Sequence, residues 1–151
     1  MVLATGCAGA SGTSSILTSS AGHKQFVPGD ALGNAGKSLR SAIDHELDGV
    51  PPEKLEDKNK AISVLVGQYL KPGMTFKDAQ AILTAAGLRV TKRENIMRHP
   101  RPDYRDDVVG DLVLPGRMFS KTELVISLSP KEIGDYSTVN GVNAGISTVW
   151  L

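Results

Sequence analysis

The chain has a single cysteine, few aromatic residues (5%) and no excess of charge of either sign. One cysteine excludes an internal disulfide and is too few for a cysteine zinc site. The 17 lysines and arginines nearly balance the 16 aspartates and glutamates, so no overall field attracts nucleic acid, and we expect no nucleic-acid partner. No apolar run reaches the roughly 18 to 20 residues that a membrane-spanning helix needs.

Hydrophobic residues make up 40% of the 151 positions, which is enough for one core built mainly from aliphatic side chains. They are sparse at the start of the chain. Residues 1–22 are dominated by Gly, Ala, Ser and Thr, whose burial cannot offset the entropy lost when a backbone is ordered. We therefore predict a signal remnant and flexible tether over residues 1–36 and a single α+β binding domain over residues 37–151.

Three stretches have apolar residues at helical spacing. The first predicted helix covers residues 37–50 and the second residues 53–70, and each is followed by a proline-containing turn that a helix cannot continue through. The third helix begins after Thr75, whose side chain fits an N-cap with Asp78 three positions later. Gly87 ends this helix, because glycine adopts the left-handed C-terminal conformation without steric cost.

After Gly87 the apolar residues alternate or form short runs, as is typical of strands. The predicted strands cover residues 88–91, 108–114, 123–128 and 146–151. Helices followed by strands predict an α+β fold, with two or three N-terminal helices packed on a small antiparallel sheet of three to four strands. The loop over residues 93–107 is longer than most connections, which indicates a functional or mobile segment.

The stretch Leu3-Ala4-Thr5-Gly6-Cys7 resembles the lipobox of bacterial lipoproteins, with small residues just before the cysteine. The resemblance implies that the Cys7 sulfur takes a lipid and that the protein is held at a membrane. Ala8, where an aspartate would resemble an inner-membrane retention signal, points to the outer membrane, facing the periplasm. The six residues before Cys7 cannot hold a full signal peptide, so we expect the start to be truncated or misassigned.

Residues 69–83 read YLKPGMTFKDAQAIL, which resembles the Gly-Met-Thr helix start of the SmpA/OmlA family. Residues 123–128 and 145–149 are similar to the last two strands of that family. The family comprises small lipoproteins of the outer-membrane β-barrel assembly machine. The resemblance implies a helix, a capped helix and a three-stranded sheet, and a non-enzymatic assembly role.

A second resemblance uses some of the same residues. Gly73-Met74-Thr75 and the run Ala86-Gly87 are similar to a PASTA domain, an extracellular module that binds peptidoglycan. That module places a strand before the Gly-Met-Thr turn, where this sequence predicts a helix. The two resemblances leave two partner classes open, an envelope protein and a cell-wall component.

The sequence contains little that indicates catalysis. His23, His45 and His99 lie in separate segments without metal-ligand spacing. Asp106 and Asp107 are adjacent in a loop, where neighbouring side chains do not face one substrate. No Gly-x-Ser-x-Gly motif occurs. We expect no enzyme activity, no cofactor and no metal, with a small hydrolase or a hydrolase inhibitor as the less favoured alternative.

The segment from Arg89 to Arg105, called the basic segment below, holds six arginines and lysines against two acidic residues, a local excess of four positive charges. Arginine forks suit carboxylates and phosphates, so the segment predicts docking of an acidic partner, a lipid head group or a cell-wall carboxylate, and the alternative is a solvated charged connector. The partner-binding candidates are Arg93, Arg98, His99, Arg101, Tyr104 and Arg105. The predicted function is a membrane-anchored, non-enzymatic binding or scaffold module of the cell envelope, whose oligomeric state the sequence does not indicate.

Overall fold

The computed structural model describes residues 28–93, 107–115 and 120–150. The helices in this part of the chain are α1 (Pro28–Leu47), α2 (Asn59–Tyr69) and α3 (Phe76–Ala85), with two short 3₁₀ turns at Pro52–Lys54 and Glu56–Lys58. The strands are β1 (Arg89–Arg93), β2 (Asp107–Leu114), β3 (Ser120–Pro130) and β4 (Val139–Trp150). The predicted α+β class, with N-terminal helices and a four-stranded sheet, is confirmed.

The four strands form one antiparallel sheet in the order β1-β2-β3-β4, so each strand pairs with the next along the chain. Side chains alternate between the two faces of a strand. In β3 the fully buried residues are Leu124, Ile126 and Leu128, and they join the core that the helices cover. The residues between them point to the opposite face. All three helices therefore pack on one side of the sheet.

The ends of α3 follow from local sequence. The Thr75 hydroxyl accepts a hydrogen bond from the Asp78 backbone N–H at 3.1 Å, which satisfies one of the unpaired amides of the first turn. At the other end Gly87 has φ of 81°, a left-handed conformation. The Leu88 N–H then donates to the Leu83 carbonyl at 3.1 Å, which closes the helix. Both predicted ends are confirmed.

Two predicted boundaries are wrong. Helix α1 begins at Pro28 rather than Lys37, because Leu32 and Ala35 extend its apolar face and pack against the core. The predicted boundary between tether and domain thus falls inside a helix. Strand β4 begins at Val139 rather than Ile146, and the Gly and Asn residues that indicated a turn lie within the strand. At one of them, Gly141, a Cβ would lie 2.6 Å from the Ser129 hydroxyl, which would have to move to admit it.

The second predicted helix, over residues 53–70, is shorter in the structure. Its first residues form the 3₁₀ turns, and regular α-helix begins at Asn59. No residue of these two turns is buried, so packing does not select a continuous helix there. Helix α2 itself buries Ile62 and Val66 against the core.

The packing of α1 on α3 depends on a missing side chain. A Cβ at Gly36 would lie 2.5 Å from both the Ala85 Cβ and the Ile82 carbonyl oxygen. Contacts this short do not occur between packed atoms, so the two helices can approach this closely only at a glycine. Leu39 and Ile43, farther along α1, are fully buried.

The outer edge of β4 is covered by the segments that precede it in sequence. The Ile146 N–H donates to the Asn59 side-chain oxygen, and the Thr148 N–H donates to a Glu56 carboxylate oxygen at 3.0 Å. Near the start of β4, the Val139 N–H donates to the Met74 carbonyl at 2.8 Å. Side chains and turns thus pair backbone groups that an edge strand would leave to solvent. Among the described residues, no helix combines the length and apolarity needed to cross a bilayer.

Candidate partner-binding surface

The structure describes the two ends of the loop that the sequence singled out. Arg93 is the last residue of β1, Asp107 is the first of β2, and the two lie opposite each other in the antiparallel ladder. The chain therefore leaves the sheet and returns to it at adjacent positions at one end of the β1–β2 pair. Arg93 is exposed. The remaining partner-binding candidates and the proposed lipid site lie outside the described residues: Arg98, His99, Arg101, Tyr104, Arg105 and Cys7.

The two arginines of β1 differ in their surroundings. Arg89 forms an ion pair with Asp111, its partner in the ladder, with 2.9 Å between Nη2 and Oδ2. The hydrogen bond to Asp111, followed by the attraction of its charge, raises the pKa of Arg89. The Arg93 side chain, by contrast, makes no ion pair or hydrogen bond with any other described residue. The charge of Arg89 is therefore paired with a carboxylate, whereas the side chain of Arg93 forms no ion pair with a described residue, although Asp107 lies opposite it in the ladder.

Lys92 and Tyr136 connect β1 to the rest of the domain. The Lys92 ammonium lies 4.0 Å from the centre of the Tyr136 ring, a cation–π distance. The Tyr136 ring in turn packs edge-on against Phe76 at the start of α3, with 5.2 Å between ring centres. Phe76 is buried in the core. The end of β1 is thereby held against the connection between β3 and β4.

The connection that carries Tyr136 is held by a local turn. The Ser137 backbone N–H donates to an Asp135 carboxylate oxygen at 2.9 Å. Hydrogen bonds from Ser137, through its side chain first and then its backbone, lower the pKa of Asp135. Because the charged form makes these bonds, the turn is intact above the ordinary pKa of an aspartate and weakens as the pH falls below it.

Two grooves lie elsewhere in the described part of the domain. One, of about 590 Å³, lies between α1 and α2 and is lined by Ala42, Ala61 and Val64 among others. The other, of about 400 Å³, lies between the end of α1 and the end of β2, with Leu47, Leu55 and the Arg40–Asp44 ion pair on its walls. Both are lined by aliphatic side chains and solvated charges.

The residue types considered for metal or acid–base chemistry are scattered where the structure describes them. His45 is exposed in the last turn of α1, and His23 and His99 lie outside the described residues. Among residues 28–93, 107–115 and 120–150, no three His, Cys, Asp or Glu side chains come together as a metal site.

Sequence reasoning missed the partners of the basic segment. Asp111 lies in a predicted strand, and its position opposite Arg89 follows only from the register of β1 and β2. Tyr136 lies in a stretch for which no element was predicted. Its placement between Lys92 and Phe76 depends on where α3 meets the sheet, and no local pattern indicates it.

Comparisons of the chain with protein-family models, with curated proteins and with solved structures give no match.

Proposed function

We propose that this protein is a non-enzymatic binding or assembly-scaffold lipoprotein of a bacterial cell envelope. Cys7 carries the lipid that anchors it to the outer membrane, and the domain faces the periplasm. The partner, an envelope protein, docks where the basic segment leaves the sheet. The observation that carries this proposal is the exposed Arg93 at the end of β1, whose side chain forms no ion pair with a described residue and where a stretch with three further arginines begins.

The order of elements supports the same proposal. Helix α2, the turn Gly73-Met74-Thr75, the capped helix α3 and an antiparallel sheet follow one another. This is the order that the resemblance to the SmpA/OmlA family implies, with one more helix, α1, and one more strand. A fold with this order and no reactive cluster in its described part is suited to presenting a surface.

A cell-wall-binding function of the PASTA type is the alternative. Its distinguishing feature is a strand before the Gly-Met-Thr turn, and in this chain α2 occupies that position. The observation favours the envelope-protein partner. A pulldown with purified peptidoglycan separates the two, since retention by peptidoglycan without any protein crosslink would favour the alternative.

Site-specific crosslinking tests the docking surface. We expect a photo-reactive amino acid at position 93 of the full chain, expressed in bacterial cells, to crosslink to an envelope protein. Position 64 is the matched control, because Val64 is 62% exposed and lies on α2. Equal crosslinking from both positions, or none from position 93, would contradict docking at the end of β1.

The anchor is tested by Cys7→Ser. We expect the wild-type chain, expressed with a lipoprotein signal peptide joined ahead of Cys7, to fractionate with membranes and to incorporate a labelled fatty acid, and the variant to lose both properties, since acyl chains contribute about 0.8 kcal/mol per buried methylene. Leu3→Ala, with the cysteine kept, serves as a control for altered export. A variant without Cys7 that still fractionates with membranes as the wild type does would remove the lipid anchor from the proposal.

A further inference from the structure

The two edges of the sheet differ in whether their outward backbone groups are paired. Backbone groups along β4 are paired by Asn59, Glu56 and the turn at Met74. The other edge is β1, a strand of five residues whose side chains are exposed except for the half-buried Val90. An unpaired edge strand presents a row of N–H and C=O groups that can pair with another chain.

The register fixes which backbone groups of β1 point outward. The N–H groups of Ile146 and Thr148 point away from β3, and hydrogen-bonding direction alternates along each antiparallel strand. The pairing from these residues through β3 and β2 is unbroken, so the N–H and C=O of Val90 point away from β2. Within the described residues nothing pairs with these two groups of Val90.

The side chains that border this edge are basic. Val90 packs toward the core, so its neighbours Arg89, Thr91 and Arg93 lie on the opposite face of the sheet. Arg93 is exposed, and the Arg89 side chain is 75% exposed even though it contacts Asp111. A strand added beside β1 would place its alternate side chains next to these two arginines.

The charges also disfavour one way in which two copies of the chain could pair. If two copies of the chain paired through β1 in an antiparallel register centred on Thr91, Arg89 of one copy would lie opposite Arg93 of the other. Like charges directly opposite each other destabilise a strand pair. That register is therefore unfavourable for a second copy, whereas the edge is complementary to an acidic strand.

We propose that β1 binds an extended acidic segment of the protein partner by β-strand addition. The segment exchanges backbone hydrogen bonds with Val90 and places a carboxylate beside Arg93. This inference deepens the function proposed above and rests on it, because it specifies how the partner binds at the same surface.

The test uses synthetic peptides and the full chain. The probe is a fluorescent peptide of about nine residues, within the usual range of strand lengths, in which glutamate alternates with valine. Its matched control has the same sequence with N-methylated amides at alternate positions, which keeps the charge and removes the donors. We expect the probe to bind, the Val90 amide to exchange more slowly with solvent, and the N-methylated peptide to bind about tenfold more weakly.

Variants of the chain test the same contacts from the other side. Val90→Pro removes the outward N–H. Val90→Ala loses a similar amount of apolar packing but keeps that N–H. We therefore expect only the proline variant to bind the probe more weakly. Arg93→Ser should weaken binding of the probe and reduce the dependence of that binding on salt. Should Val90→Pro not fold, the N-methylated peptide still tests the hydrogen bonds.

The outcomes separate this inference from the proposed function. If both peptides bind equally, strand addition is wrong and charge-driven docking at Arg93 stands. If neither peptide binds while position 93 still crosslinks to an envelope protein, the proposed function stands and the basic residues of β1 serve only to keep the edge from pairing. If the probe binds as expected but nothing crosslinks to position 93, the edge accepts acidic strands and the proposed cellular partner is wrong.

Discussion

At the residue scale, the two glycines near the middle of α1 have opposite roles. Gly36 faces α3 with no room for a side chain, whereas a Cβ at Gly33 would contact nothing within 4 Å. Both glycines lower the helix propensity of α1 equally. Any difference in stability between the two alanine variants therefore reports on the contact between α1 and α3 and not on helix propensity.

We expect Gly36→Ala to destabilise the domain by about 1 to 2 kcal/mol, because overpacking outweighs the gain in helix propensity. Gly33→Ala, the control, should stabilise it by about 0.5 to 1 kcal/mol. Chemical denaturation of both variants measures the difference. Equal stabilisation by the two substitutions would show that α1 and α3 do not approach closely at Gly36.

Some residue roles could be predicted from sequence and others could not, for a physical reason. The cap at Thr75 and the stop at Gly87 depend on neighbours within a few positions, and both were predicted. The role of Gly36 depends on Ala85, and the pairing of Arg89 depends on Asp111. Those partners are distant in sequence, and only the fold brings them together.

At the element scale, the covered edge of β4 links the helical layer to the sheet. Asn59 begins α2, and its side-chain oxygen accepts the Ile146 N–H across the domain. One side chain therefore fixes the start of a helix against an edge strand. Without that oxygen the Ile146 N–H would depend on solvent.

We expect Asn59→Ala to destabilise the domain by about 1 kcal/mol, the cost of leaving a partly buried donor without its acceptor, less the small gain in helix propensity. Amide exchange at Ile146 should become faster while exchange at Leu124 in the sheet interior changes less. Lys60→Ala, on the exposed neighbouring residue, is the control. Unchanged exchange at Ile146 would indicate that Asn59 does not hold the edge.

The elements themselves were largely predictable, because the periods of helices and strands are local. The misplaced starts of α1 and β4 share a cause. Glycine and asparagine indicated tether and turn, yet Gly36 lies where α3 leaves no room for a side chain, and Gly141 packs against the Ser129 side chain. Tertiary contacts of this kind override local preference.

At the scale of the whole molecule, the order of strands in the sheet is the order of strands in the chain. Because the helices precede all the strands in sequence, the sequence also predicted that they pack together on the sheet. The candidate surface was predicted only in part. The sequence identified the basic segment and Arg93, whereas the pairing of Arg89 and the outward edge at Val90 required the register. The central strands of a sheet pair on both sides, whereas an edge strand pairs on one side. Only the fold shows which strand lies at the edge.

The last prediction concerns the contribution of charge to partner binding. Replacing Arg98, Arg101 and Arg105 with serine removes three positive charges from the basic segment and leaves the residues of the β1–β2 ladder unchanged. Exposed charges are screened over about 8 to 10 Å at physiological ionic strength, so binding of the crosslinked partner to the wild type should weaken as salt rises. The triple variant should bind more weakly at low salt and lose most of this salt dependence.

Lys54→Ser, Lys60→Ser and Lys71→Ser together are the control, because they remove the same charge from exposed positions around α2. We expect that variant to keep the slope of affinity against salt, with thermal unfolding measured for both variants to separate binding from stability. If the two triple variants lose salt dependence equally, binding responds to net charge alone. If neither changes it, the basic segment is a solvated connector, and the contacts that hold the partner are the backbone groups of β1 or lie on one of the two grooves.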